Sequence, residues 1–231
     1  MAAATTIDAH PDIRLLRLMQ LVSPTLPVGA FAYSQGLEWA VESGWVSNAR
    51  QTLDWIAGVL HHGQAKLDIP ILARLYRAWH NRDRAEFGRW DRYLAAARGT
   101  AELQQEDRLM GQALHRLFND LTPGGMGDIP CKTPSFTAMF AVAACNWGID
   151  LDKACTGLLW AWAENQIGAA VKLVPLGQTQ GQTILMQIAG QIPGAVKTGL
   201  AMKSDEIGAV TPALSMACAK HETQHTRLFR S

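Results

Sequence analysis

Apolar residues recur at intervals of three and four along most of the chain, the spacing that places them on one face of an α-helix. Residues 71–79 are an example, because Ile71, Leu72, Leu75, Tyr76 and Trp79 form one apolar stripe. No stretch of five or more residues alternates apolar and polar positions as a half-buried strand would. The pattern therefore predicts an all-α protein, a single globular domain of about nine or ten helices packed on one another.

Capping residues, prolines and glycines set the expected bounds of these helices. Residues 122–134 and 193–211, both rich in turn-forming residues, are predicted to be loops. The helix over 151–174 is apolar around much of its circumference, so we expect it to be central and surrounded. Helices are predicted over residues 13–22, 35–43, 48–61, 69–79, 84–94, 101–118, 136–147, 151–174 and 180–192, and from 212 onward.

The loop between the first two predicted helices is unusually apolar. Pro24 and Pro27 remove two backbone donors and end the first helix, and Gly29 can take the positive φ that a reversal of the chain requires. Phe31 and Tyr33 follow as large side chains that need a surface to cover. We expect this loop to pack into the domain core or against another chain.

Charge and composition exclude several classes of function. The 231 residues carry a formal net charge of +1 without a long block of either sign, so we expect neither nucleic acid nor a membrane surface as a partner. Residues 173–196 carry no charge, but Pro175 and Pro193 interrupt them, which favours a buried helix over a membrane span. With no evident signal peptide at the N-terminus, the expected location is the cytoplasm. Only 18% of residues are charged, which suggests stable contacts with partner proteins or a large core.

One short motif suggests catalysis. His221-Glu222-Thr223-Gln224-His225 matches the H-E-x-x-H pattern of zinc proteases, in which two imidazoles on one helix face bind zinc. Only six residues follow, and none is a good third ligand. His221 and His225 are therefore weak metal candidates, and a zinc-dependent hydrolase is the alternative to a protein without catalytic activity. No phosphate-binding loop or nucleophile motif is present.

Polar residues inside apolar blocks are the other candidates for function. Glu38, Lys172 and Gln178 either face solvent or line a contact with another chain, because an unpaired charge in a core is costly. In the C-terminal tail, Leu228 and Phe229 stand between Arg227 and Arg230, a combination typical of binding hot spots. The tail could equally dock onto its own domain.

Four blocks in order resemble the UreF family of urease accessory proteins: LMQLVSPTLPVGAFAYSQGLEWAVESGWV at 18–46, RGTAELQQEDRLMGQAL at 98–114, AAVKLVPLGQTQGQ at 169–182 and HETQHTRLFRS at 221–231. The family commonly has an aromatic residue where this chain has His225.

The resemblance implies an all-α homodimer with no catalytic activity and no cofactor. It implies partners: UreD (also called UreH), the GTPase UreG and the urease apoprotein subunits, in a complex that inserts nickel into urease. One domain should span residues 1–231, with a flexible N-terminus at 1–12 and a partner-facing tail at 221–231. The expected partner-binding residues are Tyr33, Glu38, Lys172, Gln178, Arg227, Leu228, Phe229 and Arg230.

Overall fold

The structure is a computed structural model that describes residues 10–122 and 126–231. Within these residues the regular elements are helices, which confirms the all-α prediction. Two short 3₁₀ turns, Ala30–Ala32 and Ser204–Glu206, and one π-helical turn, Leu60–Gln64, join them. The described part of the chain contains eleven α-helices: α1 (Pro11–Leu21), α2 (Leu37–Glu42), α3 (Ala49–Val59), α4 (Asp68–His80), α5 (Arg84–Ala97), α6 (Ala101–Leu121), α7 (Phe136–Asn146), α8 (Leu151–Leu173), α9 (Gln178–Ala189), α10 (Ile192–Ala201) and α11 (Pro212–His221).

The centre of the fold is α7 rather than α8. Every residue from Thr137 to Ala144 is buried, because this uncharged, alanine-rich helix packs between α4 and α6 and also contacts α8. The small side chains let neighbouring helices approach on all sides. The longer α8 buries part of its circumference against α9, α10 and α2 and leaves the rest at the surface. The prediction that α8 is the surrounded helix was therefore wrong.

Local capping explains the starts of several helices. The side chains of Asp83, Thr100 and Ser135 each accept the backbone N–H three residues later. Asn48 performs this role for α3. At the end of α2, Gly44 has a φ of +75°, as expected of a glycine that stops a helix.

One helix, α10, was not predicted. Its sequence IPGAVKTGLA contains one proline and two glycines, residues that oppose helix formation in isolation. Pro193 lies in the first turn, where its missing N–H costs nothing. A Cβ on Gly199 would come within 2.6 Å of the Ile69 side chain, so glycine is what lets α10 pack this closely on α4. Tertiary packing therefore outweighs local propensity here.

The apolar loop between α1 and α2 packs inward, as predicted. Leu26 and Val28 contact the main core, while Phe31 is exposed at the edge of the loop. Together with α6 and α8, the loop encloses a cavity of about 320 Å³. The predicted flexible N-terminus falls mostly outside the described residues, and Pro11 and Asp12 form the first turn of α1. Among the described residues, no helix is both long enough and apolar enough to span a membrane.

Candidate partner-binding site

The C-terminal tail, residues 226–231, lies against α2 and α6. Its anchor is the carboxylate of Glu38, which accepts the backbone N–H of Leu228 at 2.6 Å and that of Phe229 at 2.9 Å. Glu38 is only 7% exposed and lies in the first turn of α2. Hydrogen bonds to an ionised carboxylate are roughly twice as strong as neutral ones. Glu38 therefore fixes the tail and does not itself present a surface.

His221 ties the same carboxylate to α6. Its Nε2 lies 3.2 Å from Glu38 Oε2 and its Nδ1 lies 2.9 Å from Glu102 Oε2. The imidazole is completely buried, and Arg227 Nη1 donates to Glu102 Oε1 at 3.1 Å. Gly36, with a φ of +75°, makes this possible, because a Cβ there would meet the Cys218 backbone at 2.9 Å and push α11 away from α2. These contacts join α2, α6, α11 and the tail.

The H-E-x-x-H motif does not lie on one helix. Because α11 ends at His221, the exposed His225 lies beyond the helix and does not share a helix face with His221. Glu222 accepts the backbone N–H of Ala101 at 3.1 Å and so caps the start of α6. In the ranges 10–122 and 126–231, no three His, Cys, Asp or Glu side chains are grouped as metal ligands. The two imidazoles of this motif therefore lack the shared helix face that a zinc protease requires.

The last residue of the tail is held by two backbone amides and two side chains. The backbone oxygen of Ser231 accepts from Ser34 N at 2.6 Å, Ser34 Oγ at 2.6 Å and Gln35 N at 3.0 Å. The Ser231 hydroxyl donates to Glu106 Oε2 at 3.0 Å, and Gln35 Nε2 donates to Glu106 Oε1 at 2.7 Å. Nearby, Arg230 N donates to the Ala32 oxygen at 2.8 Å. The end of the tail therefore packs against the loop that precedes α2.

Phe229 packs in a second, smaller hydrophobic core. It is 6% exposed and packs in a cluster with buried residues of α2 and α8. The ammonium of Lys172 lies 5.4 Å from the centroid of its ring, within the range of a cation–π contact. The cluster consists of Leu37, Ala40, Val46, Ala169, Ala170, Val174 and Phe229.

The predicted partner-binding residues divide into two groups. Glu38, Tyr33 and Phe229 are buried. Glu38 and Phe229 hold the tail in place, whereas Tyr33 packs in the main core. The other five are exposed: Lys172, Gln178, Arg227, Leu228 and Arg230. We call Lys172, Arg227, Leu228 and Arg230 the tail surface. Leu228 is the apolar member, with 65% of its area exposed.

Comparison with known proteins identifies the family. The UreF family model matches residues 46–189. The chain is 46% identical over 231 residues to the urease accessory protein UreF of Alkalilimnicola ehrlichii, covering 97% of this chain and 99% of that protein. It is 43% identical over 221 residues to UreF of Hahella chejuensis, with 96% and 100% covered. This chain belongs to the UreF family. The relatives are named as accessory proteins, and the prediction that the chain is not an enzyme is confirmed.

This UreF-family chain also contains a buried ionic cluster that the sequence analysis missed. Arg98 donates to both carboxylate oxygens of Asp68, at 2.5 and 3.2 Å, and its Nη2 lies 3.7 Å from Asp107 Oδ1. Glu106 and Asp107 point inward. All four residues line the cavity beside the α1–α2 loop: Asp68, Arg98, Glu106 and Asp107.

Burial controls the pKa values in this cluster. It raises the pKa of Glu106 to about 7, although hydrogen bonds from Gln35 and Ser231 and the charge of Arg98 oppose the rise. It raises the pKa of Asp107 to about 6, again against the charge of Arg98. For Arg98, burial acts to lower the pKa, but the carboxylates of Asp68 and Asp107 outweigh it and hold the pKa above its usual range. The sequence contained a local signal for this burial. Glu106 and Asp107 lie four and three residues before Met110, so they share the apolar face of their helix with it.

Proposed function

We propose that this chain is a non-catalytic adaptor in urease maturation. It bridges UreD (UreH) and the GTPase UreG in the complex that inserts nickel into the urease apoprotein. Its family membership supports the urease role, and the tail surface supports the adaptor role. The proposal includes a homodimer, a cytoplasmic location, a single domain with a partner-facing segment at 221–231, and no cofactor.

The observation that carries the adaptor role is the way the tail is held. Glu38 and Ser34 fix its backbone, His221 holds the Glu38 carboxylate, and Phe229 anchors the tail in the second core. Arg227, Leu228 and Arg230 are thereby presented on an ordered segment. A partner that binds an ordered segment does not have to supply the free energy of ordering it. Exposed Arg and apolar side chains of this kind are typical of binding hot spots.

The residues have different roles in this proposal. Arg227, Leu228 and Arg230 contact a partner directly, whereas Glu38 and Phe229 act by keeping the tail in position and Tyr33 supports the loop before α2 from within the main core. Lys172 forms the contact with the GTPase, which Glu38 affects through the tail, and Gln178 contacts a partner protein. If the adaptor binds one nucleotide state of UreG more tightly than another, it shifts the population of UreG toward that state and so modulates GTP hydrolysis.

Co-purification with UreD and UreG tests the tail surface. Leu228→Asp places a charge on the exposed apolar side chain while leaving the backbone contacts to Glu38 intact. We expect this variant to fold normally and to lose binding to at least one of the two proteins. Val210→Asp is the matched control, because Val210 is equally an exposed aliphatic residue, 71% exposed, outside the tail. If Leu228→Asp bound both proteins as the wild type does, the tail would not be an interface.

A further inference from the structure

A second pocket lies on α5 and α6, away from the tail surface. It occupies about 360 Å³ between these helices and the loop Pro130–Ser135 that leads into α7. We call it the α5–α6 pocket. Its lining includes three basic residues on three different elements: Arg92 on α5, Arg108 on α6 and Lys132 on the loop.

The three basic side chains are exposed and have no acidic partner within the described part of the chain. No carboxylate oxygen there lies within 4.0 Å of their charged nitrogens, the distance within which the ion pairs of this protein are found. Arg108 donates only to the side chain of Gln104, at 3.2 Å. Their charge is therefore available to a ligand.

Two aspartates at the base of the pocket are already engaged. Asp91 accepts the backbone N–H of Ser135 at 3.0 Å, and Asp107 accepts that of Phe136 at 3.1 Å. Both carboxylates thus face the N-terminus of α7, whose dipole offsets part of their charge. Burial raises the pKa of the Cys131 thiol, which also lines the pocket, to about 12, so this group adds no negative charge at neutral pH. The pocket therefore has three basic side chains at its opening, whereas its two aspartates are directed inward to the start of α7.

We propose that the α5–α6 pocket binds an acidic segment of a partner protein, one that carries two or more carboxylate side chains. Charge complementarity is the argument for the occupant, because cations at an opening attract and orient a segment of opposite charge. The position of the cations on three separate elements suits an extended chain with several carboxylates better than one small anion. The pocket is lined by residues of α5, α6 and the 130–135 loop, so this interface is distinct from the tail surface.

Fluorescence anisotropy with a labelled octapeptide of alternating Glu and Ser tests the proposal, with the corresponding Gln and Ser peptide as the neutral probe. At low ionic strength we expect the acidic peptide to bind the full chain and the neutral peptide not to bind. Arg108→Glu and Arg92→Glu should each weaken binding by roughly tenfold, and added salt should weaken it further. Arg116→Glu is the matched control, because Arg116 is an exposed arginine on the same helix outside the pocket.

Three outcomes would overturn the proposal. The first is equal binding of the acidic and neutral peptides, and the second is an equal loss of affinity in Arg116→Glu and Arg108→Glu. The third is binding of inorganic phosphate at the pocket, detected by calorimetry, without binding of the acidic peptide, which would make the pocket a site for small anions. Circular dichroism confirms folding, and Arg92→Gln and Arg108→Gln serve as milder variants if charge reversal prevents folding.

Discussion

The Glu38 carboxylate accepts the backbone N–H of Phe229 at 2.9 Å, a contact between residues that are 191 positions apart. It makes one acidic side chain near the start of the fold responsible for the position of the tail. The same carboxylate is hydrogen-bonded to His221. The loss of Glu38 therefore affects three groups together: the His221 imidazole and the backbone amides of Leu228 and Phe229. Several consequences of this arrangement and of the buried ionic cluster can be measured.

Glu38→Ala should release the tail. The amides of Leu228 and Phe229 lose their acceptor, and hydrogen bonds to charged groups contribute about 1.5–3 kcal/mol each. We expect the free energy of unfolding to fall by about 3 kcal/mol in urea denaturation, and hydrogen exchange at both amides to become fast. Glu42→Ala, one helical turn further along α2, is the control and should cost less than about 1 kcal/mol. Protected tail amides in Glu38→Ala would contradict this account.

Phe229→Ala should destabilise the protein, whereas Leu228→Ala should not. Replacing a buried phenylalanine by alanine typically costs about 3–5 kcal/mol. Because Phe229 is near the end of the described chain, its loss can cost no more than the free energy of docking the tail. We therefore expect a loss at or below the lower end of that range by thermal or urea unfolding. Leu228→Ala should stay within about 0.5 kcal/mol of the wild type, since this side chain is exposed. Equal effects of the two substitutions would exclude the second core as the anchor.

Stability should fall as the pH rises from the acid range toward neutrality. The pKa of Glu106 is about 7 in the folded protein, against an ordinary value of 4.5, and that of Asp107 is about 6, against 3.8. Both carboxyl groups bind protons more tightly in the folded than in the unfolded protein. Their contribution to the free energy of unfolding is therefore fully present below the unfolded pKa and is lost as the pH rises through the folded pKa. For Glu106 the difference corresponds to about 3 kcal/mol, lost between roughly pH 4.5 and pH 7.

Urea denaturation between pH 5 and pH 8 checks this prediction. Glu106→Gln removes the titrating group but keeps an acceptor for Gln35 and a polar partner for Ser231. The decline of stability with pH should therefore be shallower in this variant than in the wild type. Parallel curves for the two proteins would show that Glu106 is not the group responsible.

Arg98→Met should strongly destabilise the fold. Removing one member of a buried ion pair leaves the carboxylates of Asp68 and Asp107 without compensation, which typically costs about 3–5 kcal/mol. The loss should appear in urea denaturation at neutral pH. Adding Asp68→Asn to Arg98→Met should recover part of it, because one uncompensated charge is then absent. If the double variant were no more stable than Arg98→Met, the Asp68–Arg98 pair would not account for the loss.

Local sequence signals predicted the elements better than their long-range contacts. Pro24, Pro27 and Gly29 marked the apolar loop, because proline restricts the backbone and glycine permits positive φ wherever they occur. The pairing of Glu38 with His221 joins residues 183 positions apart, and no local pattern indicates it. The burial of Glu106 and Asp107 likewise depends on Arg98 and on the neighbouring loop and helices. The sequence identified Glu38 as informative, but only the structure shows that it holds the tail.

Size-exclusion chromatography of the purified chain mixed with UreD and UreG, in the presence of GTP and magnesium, tests the adaptor role most directly. If the chain bridges UreD and UreG, one peak should contain all three proteins when this chain is present. UreD and UreG should elute separately when the chain is omitted. Co-elution of UreD and UreG without this chain, or elution of the chain apart from both, would contradict the adaptor role.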